Sequence, residues 1–184
     1  MKDVIVAPFS HSSIRDWPPH HFAQLIGLLL RYDDLVGRVR LIGTANQRLA
    51  ANEIARAFPA DRVANECGRL AWTGVLEALS RAGCVIGNNS GVPHVAAFLG
   101  APTVCVFGGS HERAEWRPRG KNVTVVSRAV GCSPCQFDHH HTSPYNKACL
   151  RGIDPHDVER AVLVTLRRAA GASAGEEELR GDRV

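Results

Sequence analysis

The 184-residue sequence has no long apolar run. Its greasiest stretch, near Leu25 to Leu30, is far shorter than the roughly 20 residues that a bilayer-spanning helix needs. The opening Met1-Lys2-Asp3-Val4-Ile5-Val6 is too short for a signal peptide and is soon interrupted by Pro8. A cytoplasmic location without a transmembrane segment is the expectation. No run of five or more Lys or Arg occurs, and the net charge is only +4. That weak, scattered excess suits an anionic small ligand, and no nucleic-acid partner is expected. No Gly-x-Gly-x-x-Gly follows the first apolar strand, which argues against a dinucleotide-dependent oxidoreductase. The six cysteines are unevenly spaced, so they do not read as a disulfide scaffold. No His-x-Glu accompanies Cys132-x-x-Cys135, and Pro134 lies between the two cysteines rather than before them, which excludes a zinc deaminase. There is no internal repeat.

What is present fits one globular domain. Apolar residues make up 45% and charged residues 22%, and the length suffices to bury a core without staples. Short apolar runs alternate with helix-periodic segments. Val4–Ala7, Val39–Ile42, Cys84–Ile86, Thr103–Phe107 and Val123–Val126 read as strands. Phe22, Leu25, Ile26, Leu29 and Leu30 recur at helical spacing behind Pro18-Pro19. Further helices are predicted from about Asn46 to Phe58, over Trp72, Val75, Leu76 and Leu79, from Pro93 to Leu99, and from Pro155 onward with Val158, Ala161, Val162 and Leu166 inward. Cys84 and Cys105 lie within strands and act there as small hydrophobes. Trp17 and Trp116 read as packing residues. This alternation predicts an α/β, Rossmann-like parallel sheet with helices on both faces, spanning residues 1–170, followed by a frayed tail over 171–184.

Ligands of such sheets bind beyond the carboxyl ends of the strands. Four loops there carry polar residues: Ser10 to Arg15, Gly43-Thr44, Asn88 to His94, and Gly108 to His111. In Gly87-Asn88-Asn89-Ser90-Gly91-Val92-Pro93-His94 a strand ends and a helix begins. Two readings fit: a helix start that attracts an anion, or an ordinary N-cap by Asn89 or Ser90. Arg15 is either a phosphate-binding cation or a solvated surface charge, and His94 either a ligand contact or a capping histidine.

Asn88-Asn89-Ser90-Gly91-Val92-Pro93-His94-Val95-Ala96-Ala97-Phe98-Leu99-Gly100-Ala101-Pro102 resembles the central signature of the heptosyltransferases of glycosyltransferase family 9. Ser12-Ser13-Ile14-Arg15-Asp16-Trp17-Pro18, the turn at Gly43, Val106-Phe107-Gly108, Trp116-Arg117-Pro118, Cys132-Ser133-Pro134-Cys135, Cys149-Leu150 and Ile153-Asp154-Pro155 are similar too, in the same order. The resemblance implies one half of a GT-B enzyme, the half that binds an ADP-heptose or similar nucleotide sugar. It places Ser10, Ser12, Ser13 and Arg15 at the diphosphate and Gly43, Thr44 and Gln47 near the nucleoside. Asn89, Ser90, Gly91 and His94 fall at the diphosphate and sugar. No cofactor is implied for transfer. The family's acceptor site and carboxylate base lie in an N-terminal domain, so a separate acceptor-domain protein is an expected partner. The alternative is a catalytically silent nucleotide-sugar-binding module. No catalytic residue is assigned; Asp16, Glu112 and Glu115 are the first carboxylates to test. This sequence carries Asn89 where the family usually has Asp, Gln47 where it has Glu, and Arg15 where Lys is commoner.

Cys132, Cys135 and Cys149 with His139 (or His140 or His141) have the ligand types for a tetrahedral structural zinc or iron site. Three free thiols beside a surface histidine run explain the same residues. Relatives commonly carry four cysteines in this loop, so the resemblance lets a histidine stand for one thiolate.

Overall fold

A computed structural model describes residues 1–136, 143 and 145–181, with backbone alone at 170 and from 172 onward. Six strands form a single sheet: β1 (Lys2–Ala7), β2 (Val36–Leu41), β3 (Val63–Asn65), β4 (Cys84–Asn88), β5 (Thr103–Phe107) and β6 (Val123–Ser127). Their order is β3-β2-β1-β4-β5-β6, and every neighbouring pair is parallel. β3 has only three residues, with Val63 alone fully buried, too short a run for hydrophobic periodicity to mark. It is the strand absent from the sequence reading.

The helices are α1 (Pro19–Leu29), α2 (Arg48–Ala55), α3 (Trp72–Arg81), α4 (Gly91–Phe98), α5 (Arg113–Trp116), α6 (Ala148–Arg151) and α7 (Pro155–Gly181). The pleat sends alternate strand residues to opposite faces. Val4, Val6, Leu41, Ile86 and Val106 join Phe22, Leu25, Ile54, Val158 and Val162 under α1, α2 and α7. Ile5, Ala7 and Val85 meet Leu79 and Ala96 under α3 and α4. The helix predicted over 46–58 is shorter: a 3₁₀ turn, Ala45–Gln47, precedes α2. The helical backbone of α7 runs to Gly181, through the segment that the sequence marks as a tail.

One tryptophan expectation is corrected: Trp116, read as a packing residue, is 53% exposed. It ends a four-residue helix and its ring lies tilted against His111. Trp72, at the start of α3, is 61% exposed as well. Trp17 is fully buried and its indole N–H donates to the Ile153 carbonyl. α4 stops as Gly100 predicts: Gly100 takes φ +77, its N–H bonds Ala97 and the Ala101 N–H bonds Ala96, which is a Schellman closure.

Ile86 sits in β4, the strand between the two central neighbours, and is wholly buried. Ile86→Ala is expected to lower stability by about 2–5 kcal/mol, the range for a large-to-small core change. Urea denaturation measures it, and a loss under roughly 1 kcal/mol would show that the centre is loosely packed.

Candidate nucleotide-binding site

β1 runs out at Ala7, and the chain turns through Ser10 to Trp17 before α1. This loop is held from several directions. The Ser10 N–H donates to Asp16 Oδ1 at 2.7 Å, and Ser10 Oγ donates to the Ser12 carbonyl at 2.6 Å. The Lys147 ammonium donates to the carbonyls of Ser13 and Asp16. Burial raises the Asp16 pKa above its usual value, against the lowering pull of the Ser10 bonds, Lys147 and Arg15. The Asp16 carboxylate is therefore committed to its own loop. Within the same loop, Ser12 is 2% exposed, yet its hydroxyl has no hydrogen-bond partner among the described residues; Arg15 Nε is likewise buried and unpaired. Buried polar atoms are nearly always paired, so these two atoms make the loop a candidate ligand contact.

The second arm is the turn from β4 into α4. Ser90 occupies the N-cap position, with extended backbone, but makes no side-chain cap bond. Its hydroxyl is buried and unpaired as well. The N-cap reading thus holds for position and fails for the side chain. Asn89, 5% exposed, accepts from or donates to His94 Nε2 at 3.0 Å. His94 itself is exposed on the first turn of α4. Partial burial, then the nearby Arg15 charge, lower its pKa. An Asp at position 89 would oppose that shift, whereas the neutral amide does not.

Between these arms and the loop after β2 lies a cleft of about 680 Å³. Ser10, Gly43, Thr44, Gln47, Ser90 and Gly91 line it, so six of the eleven donor-site residues read from sequence do share one cavity wall. Ser12, Ser13, Arg15, Asn89 and His94 are not part of that wall; they belong to the two arms at the cleft's edge. A Cβ at Gly43 would fall 2.5 Å from Gln47 Oε1, so any larger residue there displaces the Gln47 amide. Gln47 closes a capping box, its Oε1 accepting from the Thr44 N–H at 3.0 Å, and its Nε2 reaches the Ser10 carbonyl at 3.4 Å. The Gln47 amide is therefore occupied at both ends. The opposite wall is apolar: Ile42, Leu70, Trp72, Val75, Val92 and Val95. Among the described residues no carboxylate lines this cleft. Its volume falls within the usual range for small-ligand sites.

Sequence reasoning missed Trp72, Leu70 and Lys147. Helical periodicity placed Trp72 on one face of a helix without saying what that face meets, and nothing local ties Lys147 to a loop some 130 positions earlier. The three cysteines of the expected metal centre fall among the described residues, without its histidine. Among the described residues no three Cys, His, Asp or Glu side chains come together to hold an ion. Cys149 Sγ instead accepts from the Gly109 N–H at 3.2 Å, and the Cys135 N–H donates to the Gly109 carbonyl. All three thiols are free, and His139, His140 and His141 lie outside the described residues. Cys132, Cys135 and Cys149 as placed do not fit a zinc or iron ion. Cys67, Cys84 and Cys105 are buried, with burial pushing their thiols up to about 11, about 12 and about 12.

His94 gives a pH test. Folding lowers its pKa, so the folded chain binds fewer protons than the unfolded chain just below pH 6.5. The resulting penalty is absent above 6.5 and grows as pH falls from 6.5 toward the folded value. An imidazole NMR titration is expected to place the His94 midpoint below 6.5, and Asn89→Asp to move it upward. An unchanged midpoint in that variant would show that the Asn89 contact does not set the imidazole's charge.

The sequence profile described as "Glycosyltransferase family 9 (heptosyltransferase)" matches residues 2–146. Lipopolysaccharide heptosyltransferase 1 of Escherichia coli (strain K12) is 31% identical over 138 residues, covering 67% of this chain and 41% of that protein. The fold matches the structure of E. coli ADP-heptose lps heptosyltransferase II with TM-score 0.74 at 23% identity, over 91% of this chain and 47% of the other. It also matches E. coli heptosyltransferase WaaC with ADP, with TM-score 0.68 at 22% identity, over 89% and 44%. The chain thus spans less than half the length of these relatives. No helix among the described residues is long and apolar enough to cross a membrane. With 145 consecutive residues, 2–146, inside the family profile, the chain belongs to glycosyltransferase family 9.

Proposed function

We propose that this chain is the nucleotide-sugar-binding half of a heptosyltransferase-type enzyme, taking ADP-heptose or a similar ADP-sugar for transfer to a lipopolysaccharide or other glycan. The observation that carries this reading is the set of buried donors without partners, Ser12 Oγ, Arg15 Nε and Ser90 Oγ, on the same sheet edge as the α4 N-terminus. A diphosphate satisfies all of them, and the helix dipole and free amides add to the attraction. The nucleoside fits the adjoining cleft, with its base against the apolar wall that includes Trp72. The WaaC neighbour was solved with ADP, which agrees with a ligand of this class.

In the transfer, the bond from the sugar's anomeric carbon to the diphosphate oxygen breaks, and a bond from that carbon to the acceptor oxygen forms. The hydroxyl proton passes to a base, and the diphosphate departs with one added negative charge. Arg15, the two hydroxyls and the α4 amides are suited to hold that charge. The base is a different matter. Asp16 is committed to Ser10, Glu112 caps the Ala114 N–H, and Asn89 and Gln47 are amides that cannot take a proton near neutral pH. We place the base and acceptor site in a separate half. The same observations favour a second reading, a binding module without catalytic power of its own.

Calorimetry with ADP and ADP-heptose is expected to show binding, and Arg15→Ala to weaken it by about 1–3 kcal/mol, as for a hydrogen bond to a charged group. Absence of binding at millimolar ligand to a folded sample would remove the reading; unchanged affinity in the variant would remove Arg15 from the site. A polypeptide of these 184 residues is expected to bind donor without transferring sugar, since acceptor positioning alone contributes up to roughly 7–11 kcal/mol. A transfer assay with and without an acceptor-domain partner decides this. Robust turnover by the polypeptide alone would mean that a base lies within it.

A further inference from the structure

Asn88 ends β4 and is wholly buried. Each of its side-chain hydrogen bonds leads into the loop after β1. Oδ1 accepts from the Trp17 N–H at 2.9 Å. Nδ2 donates to the Pro8 carbonyl at 2.8 Å and to Asp16 Oδ1 at 3.3 Å. Asp16 Oδ1 in turn accepts from the Ser10 N–H. One carboxamide therefore ties the start of this loop, its end and its internal brace to the residue that immediately precedes Asn89 and Ser90.

We infer that Asn88 is a positioning residue that sets the spacing between the two arms of the diphosphate site, Ser12 to Arg15 on one side and Asn89-Ser90 on the other. The inference rests on the proposed reading of this edge as a diphosphate site. The geometry demands an amide. The position must offer an acceptor to one N–H and donors to two oxygens, with no water to substitute at a fully buried site. Aspartate of the same size keeps the first bond, loses both donors and sets a second carboxylate beside Asp16. Aliphatic residues leave the Trp17 N–H and the Pro8 carbonyl without these partners and Asp16 Oδ1 with the Ser10 N–H alone. Lys147 braces the loop independently, from its outer side, through the Ser13 and Asp16 carbonyls. A change at Asn88 thus shifts the loop's placement without releasing the loop. A shift of a few tenths of an ångström suffices to spoil a site built from three short-range donors.

The test is Asn88→Asp, with Asp16→Ala as a second variant that removes the brace at a less buried position. Circular dichroism establishes folding. Calorimetry with pyrophosphate, ADP and adenosine then separates the phosphate arms from the nucleoside cleft. Asn88→Asp is expected to bind pyrophosphate and ADP at least about tenfold more weakly while adenosine stays within about twofold. Amide hydrogen exchange is expected to quicken at Ser10 and Trp17 and to stay unchanged in β4 and β5. Should Asn88→Asp not fold, Asp16→Ala is expected to show the same ligand split. An equal loss for all three ligands, or no loss in a folded variant, would overturn the assignment. If the parent chain binds neither ADP nor pyrophosphate, the site reading falls instead, and the exchange pattern still decides whether Asn88 holds the loop.

Discussion

Everything at the ligand edge depends on the pairing of β1 with β4. The two strands are adjacent and parallel, but the chain leaves β1 toward α1 on one face and leaves β4 toward α4 on the other. The loops must diverge, and a gap opens between them at the carboxyl ends of the strands. A gap walled by backbone is polar, and this one lies beneath the surface, so its groups need partners from the chain itself. Asn88 supplies them on the inner side. On the outer side, Ser12 Oγ, Arg15 Nε and Ser90 Oγ have no hydrogen-bond partner among the described residues. The same topological break places both the structural bond and these polar atoms at one sheet edge.

The fold was legible because strand runs such as Val4–Ala7 and Thr103–Phe107 are apolar on both faces, and helix stripes such as Phe22, Leu25, Ile26 and Leu29 are one-sided. Both patterns are local. β3 escaped because three residues carry no period, and Trp116 was misread as packed because residue type reports which side chains are apolar, not whether anything covers them. The polar residues of the cleft were legible through their strand-end positions and through the family motif. Their division of labour was not. That Gln47 bonds two loops, that Asp16 is committed to Ser10, and that Lys147 returns to the first loop are all contacts across distance. The cysteine loop shows a related limit: a Cys-x-x-Cys pair fixes which thiols are close in sequence, while the Cys149 thiol accepts from the Gly109 N–H, a contact that spacing does not announce.

The two amides that stand where the family usually carries acids share a consequence. Among the described residues the cleft has no carboxylate in its wall, and the imidazole on α4 is biased toward its neutral form. The positive side of the field at the proposed diphosphate site therefore rests on Arg15, on the helix start and, at one remove, on Lys147. A site so arranged attracts an anion without an opposing charge nearby, at the expense of any contact that a carboxylate would make to sugar or ribose hydroxyls.

Gln47 shows what such an exchange does to a cleft before anything enters it. A carboxylate at this position could accept from the Thr44 N–H but would face the Ser10 carbonyl oxygen with another oxygen; the amide offers each neighbour its complement. The loops after β1 and β2 are thereby joined across the floor of the cavity in the empty protein. Ordering that a ligand would otherwise impose on these loops is already in place, so less conformational entropy is lost on association. The recognition surface is shaped by the chain's own hydrogen bonds rather than by the molecule it receives.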